Sequence, residues 1–159
     1  MGLDITFYKA KRSKDNETKE RLEEIRKALA AEYLKSIDER NSKLIKELED
    51  EKEKINPWNE VAYFRKVNFL IPFFGYEENC SNIEIDKYQV EDLVDACKAV
   101  LEDHSKAEEL LPTTAGFFFG STEYDDWYFG DVQNVKDKFE EVLADFDMDE
   151  DILLMHCWW

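Results

Sequence analysis

The chain has 159 residues with 21 Lys and Arg against 38 Asp and Glu, a formal net charge of −17. That length suits one domain with an appendage, and a composition that is 43% hydrophobic and 14% aromatic is too apolar for a disordered acidic chain. No apolar run approaches the roughly 18 residues of a membrane span, the opening Met1-Gly2-Leu3-Asp4 lacks a signal-peptide pattern, and Cys80, Cys97 and Cys157 show neither metal-type spacing nor an even disulfide count. A reduced, cytoplasmic protein is expected.

Leu3, Ile5 and Phe7 alternate with Asp4, Thr6 and Tyr8, which predicts a half-buried strand. Residues 17–54 contain neither Gly nor Pro and interleave charges of both signs with sparse apolar positions. The segment 13–55 is therefore read as a helical insertion, either one long helix or a hairpin. Leu34, Ile37, Asn41, Leu44, Leu48 and Ile55 follow a 3-4 spacing, so a coiled coil that self-associates is one form. In the other form Asn41 and Ser42 make the turn between two shorter antiparallel helices.

Asn56-Pro57 reads as a helix start, and Trp58, Val61, Ala62, Phe64 and Val67 as the face of a helix ending before Pro72. Residues 72–82 read as a loop with aromatic anchors. Ile83 and Ile85 predict a short strand, and Asp86 with Gln89 a capping box. The helix behind it carries Val90, Leu93, Val94, Cys97, Val100 and Leu101 at helical spacing. After a short segment ending at Pro112, GFFFG at 116–120 is a brief strand or an aromatic loop. Ser121 or Asp125 opens a last helix with Tyr128, Val132, Val135, Phe139, Val142 and Phe146 on one stripe. The apolar run 152–159 predicts a terminal strand paired with residues 3–9. The class is α+β: a small antiparallel sheet covered by helices in a single domain, with the helical insertion leaving an acidic body at 57–159.

Charge is unevenly placed. Residues 1–56 hold 14 basic and 14 acidic side chains, and residues 57–159 hold 7 and 24. A surface of that sign repels nucleic acid directly but attracts and steers a basic protein that itself handles nucleic acid. Catalytic signals are weak. His104 and His156 are the only histidines, and His156 and Cys157, as strand neighbours, point to opposite faces. The alternating Asp145, Asp147, Asp149 and Asp151 lack the turn glycine and the later bidentate Glu of a calcium loop. No catalytic residue, metal ligand or cofactor site is assigned.

Ser121, Thr122, Glu123, Tyr124, Asp125 and Trp127 form the densest mixture of polar and aromatic groups, suited to orienting and stacking a ligand. No lysine follows Gly120 in P-loop fashion. Within Tyr63, Arg65, Lys66 and Asn68 lies the only adjacent basic pair of residues 57–159. If that segment faces the Ser121–Asp125 loop, the two form a pocket with an anion-accepting wall. A nucleotide-like small molecule is the ligand expected of it.

AYFRKVN at 62–68, LLPTTAG at 110–116, FFFGSTEYD at 117–125 and the following Trp127-Tyr128, together with the opening MGLD, resemble a group of small phage and prophage proteins of unassigned function. The likeness covers the start and residues 57–159, with 13–55 as a variable insertion. Relatives carry Trp in place of Phe64 and His near Ile71, so His-based chemistry is not implied for this chain. The resemblance implies a phage context, hence a host-cell cytoplasm, and no activity. The leading expectation is a non-enzymatic, nucleic-acid-mimic-like acidic inhibitor of a basic host or anti-phage defence protein. The small-molecule pocket is the alternative.

Overall fold

The computed structural model describes residues 2–12 and 16–159; Met1 of the opening motif and the first three residues of the expected insertion at 13–55 lie outside these. In chain order the elements are β1 (Asp4–Lys11), α1 (Asn16–Tyr33), α2 (Ser42–Ile55), β2 (Asn59–Arg65), α3 (Leu70–Phe74), β3 (Asn82–Ile85), α4 (Lys87–Glu102), α5 (Ala107–Leu110), α6 (Asp126–Ala144) and β4 (Asp151–Trp158). The fold is α+β, with the four strands in the order β2-β1-β4-β3 in one antiparallel sheet. The first and last strands are therefore neighbours at its centre. β3 pairs with β4 in a register that sets Ile83 opposite Met155 and Ile85 opposite Leu153.

Two compact units make up the chain: Met1–Lys9 with Glu60–Trp159, and Ala10–Asn59. In the first, the alternation of the strands decides the faces. Leu3 just before β1, Ile5 and Phe7 of β1, Ala62 and Phe64 of β2, and Leu153, Met155 and Cys157 of β4 join one core with the buried stripes of α4 and α6. Phe7 sits at its centre, edge-on to Phe139 at 4.8 Å, Phe74 at 5.8 Å and Phe64 at 6.1 Å between ring centroids. The capping box of α4 is present, Asp86 accepting from the Gln89 amide and Gln89 returning to the Asp86 amide. Asp125 opens α6 by accepting from the Tyr128 amide at 3.0 Å.

The second unit is a helical hairpin. Asn41 caps α2, its Oδ1 accepting from the Leu44 amide at 3.0 Å, and Ile25, Leu29 and Leu48 form a small core between the two helices. Leu34 and Ile37 do not continue a coiled-coil stripe: they lie in the turn, 89% and 80% exposed. Arg21 makes a bidentate bridge to Glu51, 2.7 Å at each nitrogen.

Residues 57–67 correct the sequence reading. The expected helix is β2, followed by a turn, and α3 begins only at Leu70. The spacing of Val61, Ala62 and Phe64 fits a helix face, but Ala62 and Phe64 buried against Tyr63 and Arg65 exposed is a period of two. Asn56 ends α2 rather than starting a helix, its amide donating to the Lys52 carbonyl. Pro72 lies within α3, in the first turn where its missing N–H is not needed, and Gly75 closes that helix in the left-handed region at φ 64°.

Candidate functional site

The site of interest is built where β2 ends, in the larger unit. Lys66 leaves the strand with φ 60°, a left-handed conformation that is costly for a residue with a Cβ. Its amide still donates to the Leu3 carbonyl at 2.8 Å, so the sheet continues for one bond beyond the strand. The strand ends at Arg65, so Lys66 sits in the turn that follows it. Its side-chain carbons then lie across two glycines: a Cβ placed on Gly2 would sit 3.3 Å from Cε of Lys66, and one on Gly120 would sit 3.2 Å from its Cβ. Gly120 is itself left-handed at φ 88°. A side chain at Gly120 would press on the lysine stem, and one at Gly2 on the Arg65 guanidinium as well.

Asn68 follows, 3% exposed, and every polar atom of its amide is used. Nδ2 donates to the carbonyls of Phe119 at 3.0 Å and Ser121 at 2.9 Å, while Oδ1 accepts from the Thr114 amide at 3.1 Å. The side chain thus clamps the 114–121 loop to the end of β2. Phe119 plugs this loop into the core, and Gly116 is required there because a Cβ would fall 2.6 Å from the Phe119 ring. Thr113 braces the far side, its hydroxyl donating to the Thr122 carbonyl at 2.9 Å and its amide to the Tyr124 hydroxyl at 3.3 Å.

These pieces enclose a cleft of about 170 Å³, lined by Lys66, Asn68, Ser121, Glu123, Asp125 and Trp127 among the residues expected from sequence. The basic segment and the Ser121 loop therefore meet, through six of the ten expected residues. The others lie elsewhere. Tyr63 is half exposed and its hydroxyl donates to Asp4; the Arg65 guanidinium rests against Gly2, 3.1 Å from where a Cβ would be. Thr122 and Tyr124 serve the loop brace, and Tyr124 packs edge-on to Tyr128 at 5.0 Å.

Thr113, Phe69, Tyr128 and Asp131 also line the cleft and were not expected. For Asp131 a signal existed: it stands four residues after Trp127 on α6, one turn along the same face. Burial, and then the charge of Asp125, raises its carboxyl above the ordinary aspartate range. Tyr128 donates from beneath to the Leu111 carbonyl at 2.7 Å, and burial pushes its phenol up.

The remaining sequence candidates resolve into local structure. Asp147 accepts from the amides of Asp149 and Glu150, and Asp151 from that of Asp147, so the acidic run 147–151 closes on its own backbone, while Asp145 bridges to Lys9. Among the described residues no group of three His, Cys, Asp or Glu side chains is placed to hold a metal ion. His104 stacks on Phe129 with centroids 3.6 Å apart. His156 Nδ1 meets the Ser81 carbonyl at 2.9 Å. No helix among the described residues is long and apolar enough to cross a membrane.

No family model matches the chain, and no curated protein or solved structure matches it either.

Proposed function

We propose that this chain is a non-enzymatic binding protein of phage type, an acidic inhibitor that captures a basic host or anti-phage defence protein in the host cytoplasm. The observation that supports the reading is the pairing pattern on α4 and α6. Each lysine of these helices is already engaged: Lys87 with Glu91 at 3.7 Å, Lys98 with Glu140 at 3.1 Å, Lys136 with Asp137 at 2.7 Å and Lys138 with Glu141 at 3.0 Å. Asp92, Asp95 and Glu102, all exposed, are left over on α4. With Ala99 they fall at 3-4-3 spacing, a single stripe about 15 Å long at 1.5 Å per residue. An excess of one sign along a rigid helix supplies steering and register to a partner of the other sign. The hairpin of α1 and α2, with Leu34 and Ile37 exposed at its turn, is in this reading the second contact surface, for another copy of the chain or for the same partner.

A nucleotide-like ligand in the cleft is the weaker reading. The cleft is smaller than the roughly 300–1,000 Å³ of pockets for drug-sized molecules. Three carboxylates also oppose a phosphate there while Arg65 lies outside it.

Immobilised full-length protein should retain a basic protein from bacterial lysate at low salt and release it as ionic strength shortens the Debye length from about 10 Å at 0.1 M to about 3 Å at 1 M. The triple variant Asp92→Asn, Asp95→Asn, Glu102→Asn should retain far less of it. Retention indifferent to salt, or undiminished in the triple variant, would overturn the reading.

A further inference from the structure

We infer that the cleft between the end of β2 and the start of α6 is a binding site for a compact zwitterion, a free α-amino acid. Lys66 and the Ser121 hydroxyl receive its carboxylate, and Asp131 with the Trp127 ring receives its ammonium. The proposal does not depend on the acidic stripe of α4 and concerns a separate surface of the same unit.

Three features of the cleft carry it. The first is that opposite charges line one cavity and do not pair. Lys66 lines the space shared with Glu123, Asp125 and Asp131, yet no carboxylate oxygen of the described residues lies within 4.0 Å of its ammonium.

The second is that Lys66 is restrained. The left-handed backbone and the close approach of Gly120 hold the stem of this exposed lysine at the cleft, and the Asn68 clamp fixes the loop opposite. Conformational cost stored at a ligand-facing residue is the signature of a preorganised group.

The third is the chemistry left free on the walls. One oxygen of Asp125 is spent on capping α6, and the Ser121 oxygen accepts from the Glu123 amide, which leaves its proton to donate. Asp131 is half-buried and hydrogen-bonds to none of the described residues. Trp127, 85% exposed, stands one helical turn before it and offers a ring face to a cation.

Size and charge then select the ligand. A cation alone would be drawn to the carboxylates but would leave Lys66 without a partner; an anion alone would meet Lys66 but face three carboxylates. A molecule with both charges a few bonds apart matches both walls, and the small volume excludes a nucleotide. The open lip at Trp127 leaves room for an amino-acid side chain.

The test is ¹H–¹⁵N NMR of the full chain titrated with L-leucine and, separately, with acetate and with methylammonium at matched ionic strength. Leucine should shift the backbone amides of Lys66, Ser121 and Asp131 and the Trp127 indole together, along one saturable curve, where neither half-ligand does. Lys66→Asn keeps a residue that tolerates the left-handed region and removes the charge; Asp131→Asn removes the opposite charge at a half-exposed position. Each should weaken leucine at least about tenfold, the scale of one charge-assisted hydrogen bond. Acetate or methylammonium binding as well as leucine, no saturable shift up to roughly 50 mM, far beyond millimolar affinity, or unchanged affinity in Asp131→Asn would each overturn the proposal.

Discussion

Replacing Asn68 by alanine removes one buried side chain and three hydrogen bonds at once, and the consequence follows from their geometry. The carbonyls of Phe119 and Ser121 lose donors at 3.0 and 2.9 Å, and the Thr114 amide loses an acceptor at 3.1 Å. At about 1 kcal/mol for each bond, the loss is about 3 kcal/mol. For a chain of this size that lowers the melting temperature by roughly 6–12 °C, and with m near 2 kcal/mol/M it moves the urea midpoint by roughly 1.5 M. Unfolding followed by near-UV circular dichroism reads both, since Phe119 packs edge-on to Trp159 at 5.2 Å. Asn68→Asp sharpens the test. It keeps the acceptor for Thr114 but aims a carboxylate oxygen at two carbonyls, so at neutral pH it should be no more stable than the alanine variant and should recover in part on acidification. A loss below about 1 kcal/mol for alanine, or an aspartate variant as stable as the parent, would refute the clamp and return Asn68 to the role of a ligand contact.

Three further outcomes follow from the same structure. Asp131 has a carboxyl held above its ordinary value of 3.8 by burial, so the folded state binds its proton more tightly than the unfolded one. Stability from this group is greatest below pH 3.8 and is lost as pH rises through the raised folded value; Asp131→Asn should therefore melt higher than the parent at pH 7, with the advantage gone near pH 3, and a lower melting temperature at pH 7 would contradict it. Burial pushes the thiols of Cys97 and Cys157 up to about 12, whereas Cys80 is exposed: a thiol reagent at pH 8 should label one cysteine in the folded protein and three in denaturant, and rapid labelling of all three when folded would count against the burial. Gly116→Ala places a Cβ 2.6 Å from the Phe119 ring and should cost about 1–3 kcal/mol, the range for overpacking a core, measured by urea unfolding; a neutral result would show the loop yields freely.

How much of this was legible in the sequence depends on the range of the interaction that decides each element. Helix starts set by a side chain and an amide three residues away read well: the one at Asp86 and Gln89 was expected outright, and of the two starts expected for the last helix, Ser121 and Asp125, the cap is Asp125. So did the strand of Leu3, Ile5 and Phe7, whose alternation is unbroken. β2 was misread because its residues satisfy both periods. Ala62 and Phe64 are buried only because β1 lies beside β2 and the core beneath it, and nothing local to 58–67 specifies that. The site divides the same way. An adjacent basic pair and a hydroxyl-rich loop were visible as chemistry, but not that Arg65 would end the strand while Lys66 alone of the two lines the cleft. The choice fell to the left-handed turn at Lys66, which a lysine does not advertise as a glycine would. Gly2 and Gly120, 118 positions apart, carry that information jointly: Lys66 crosses Gly120, and Arg65 with the end of Lys66 crosses Gly2. Such a pairing is written in sequence only as two unexplained glycines and becomes a reason once the fold brings them to the same basic pair.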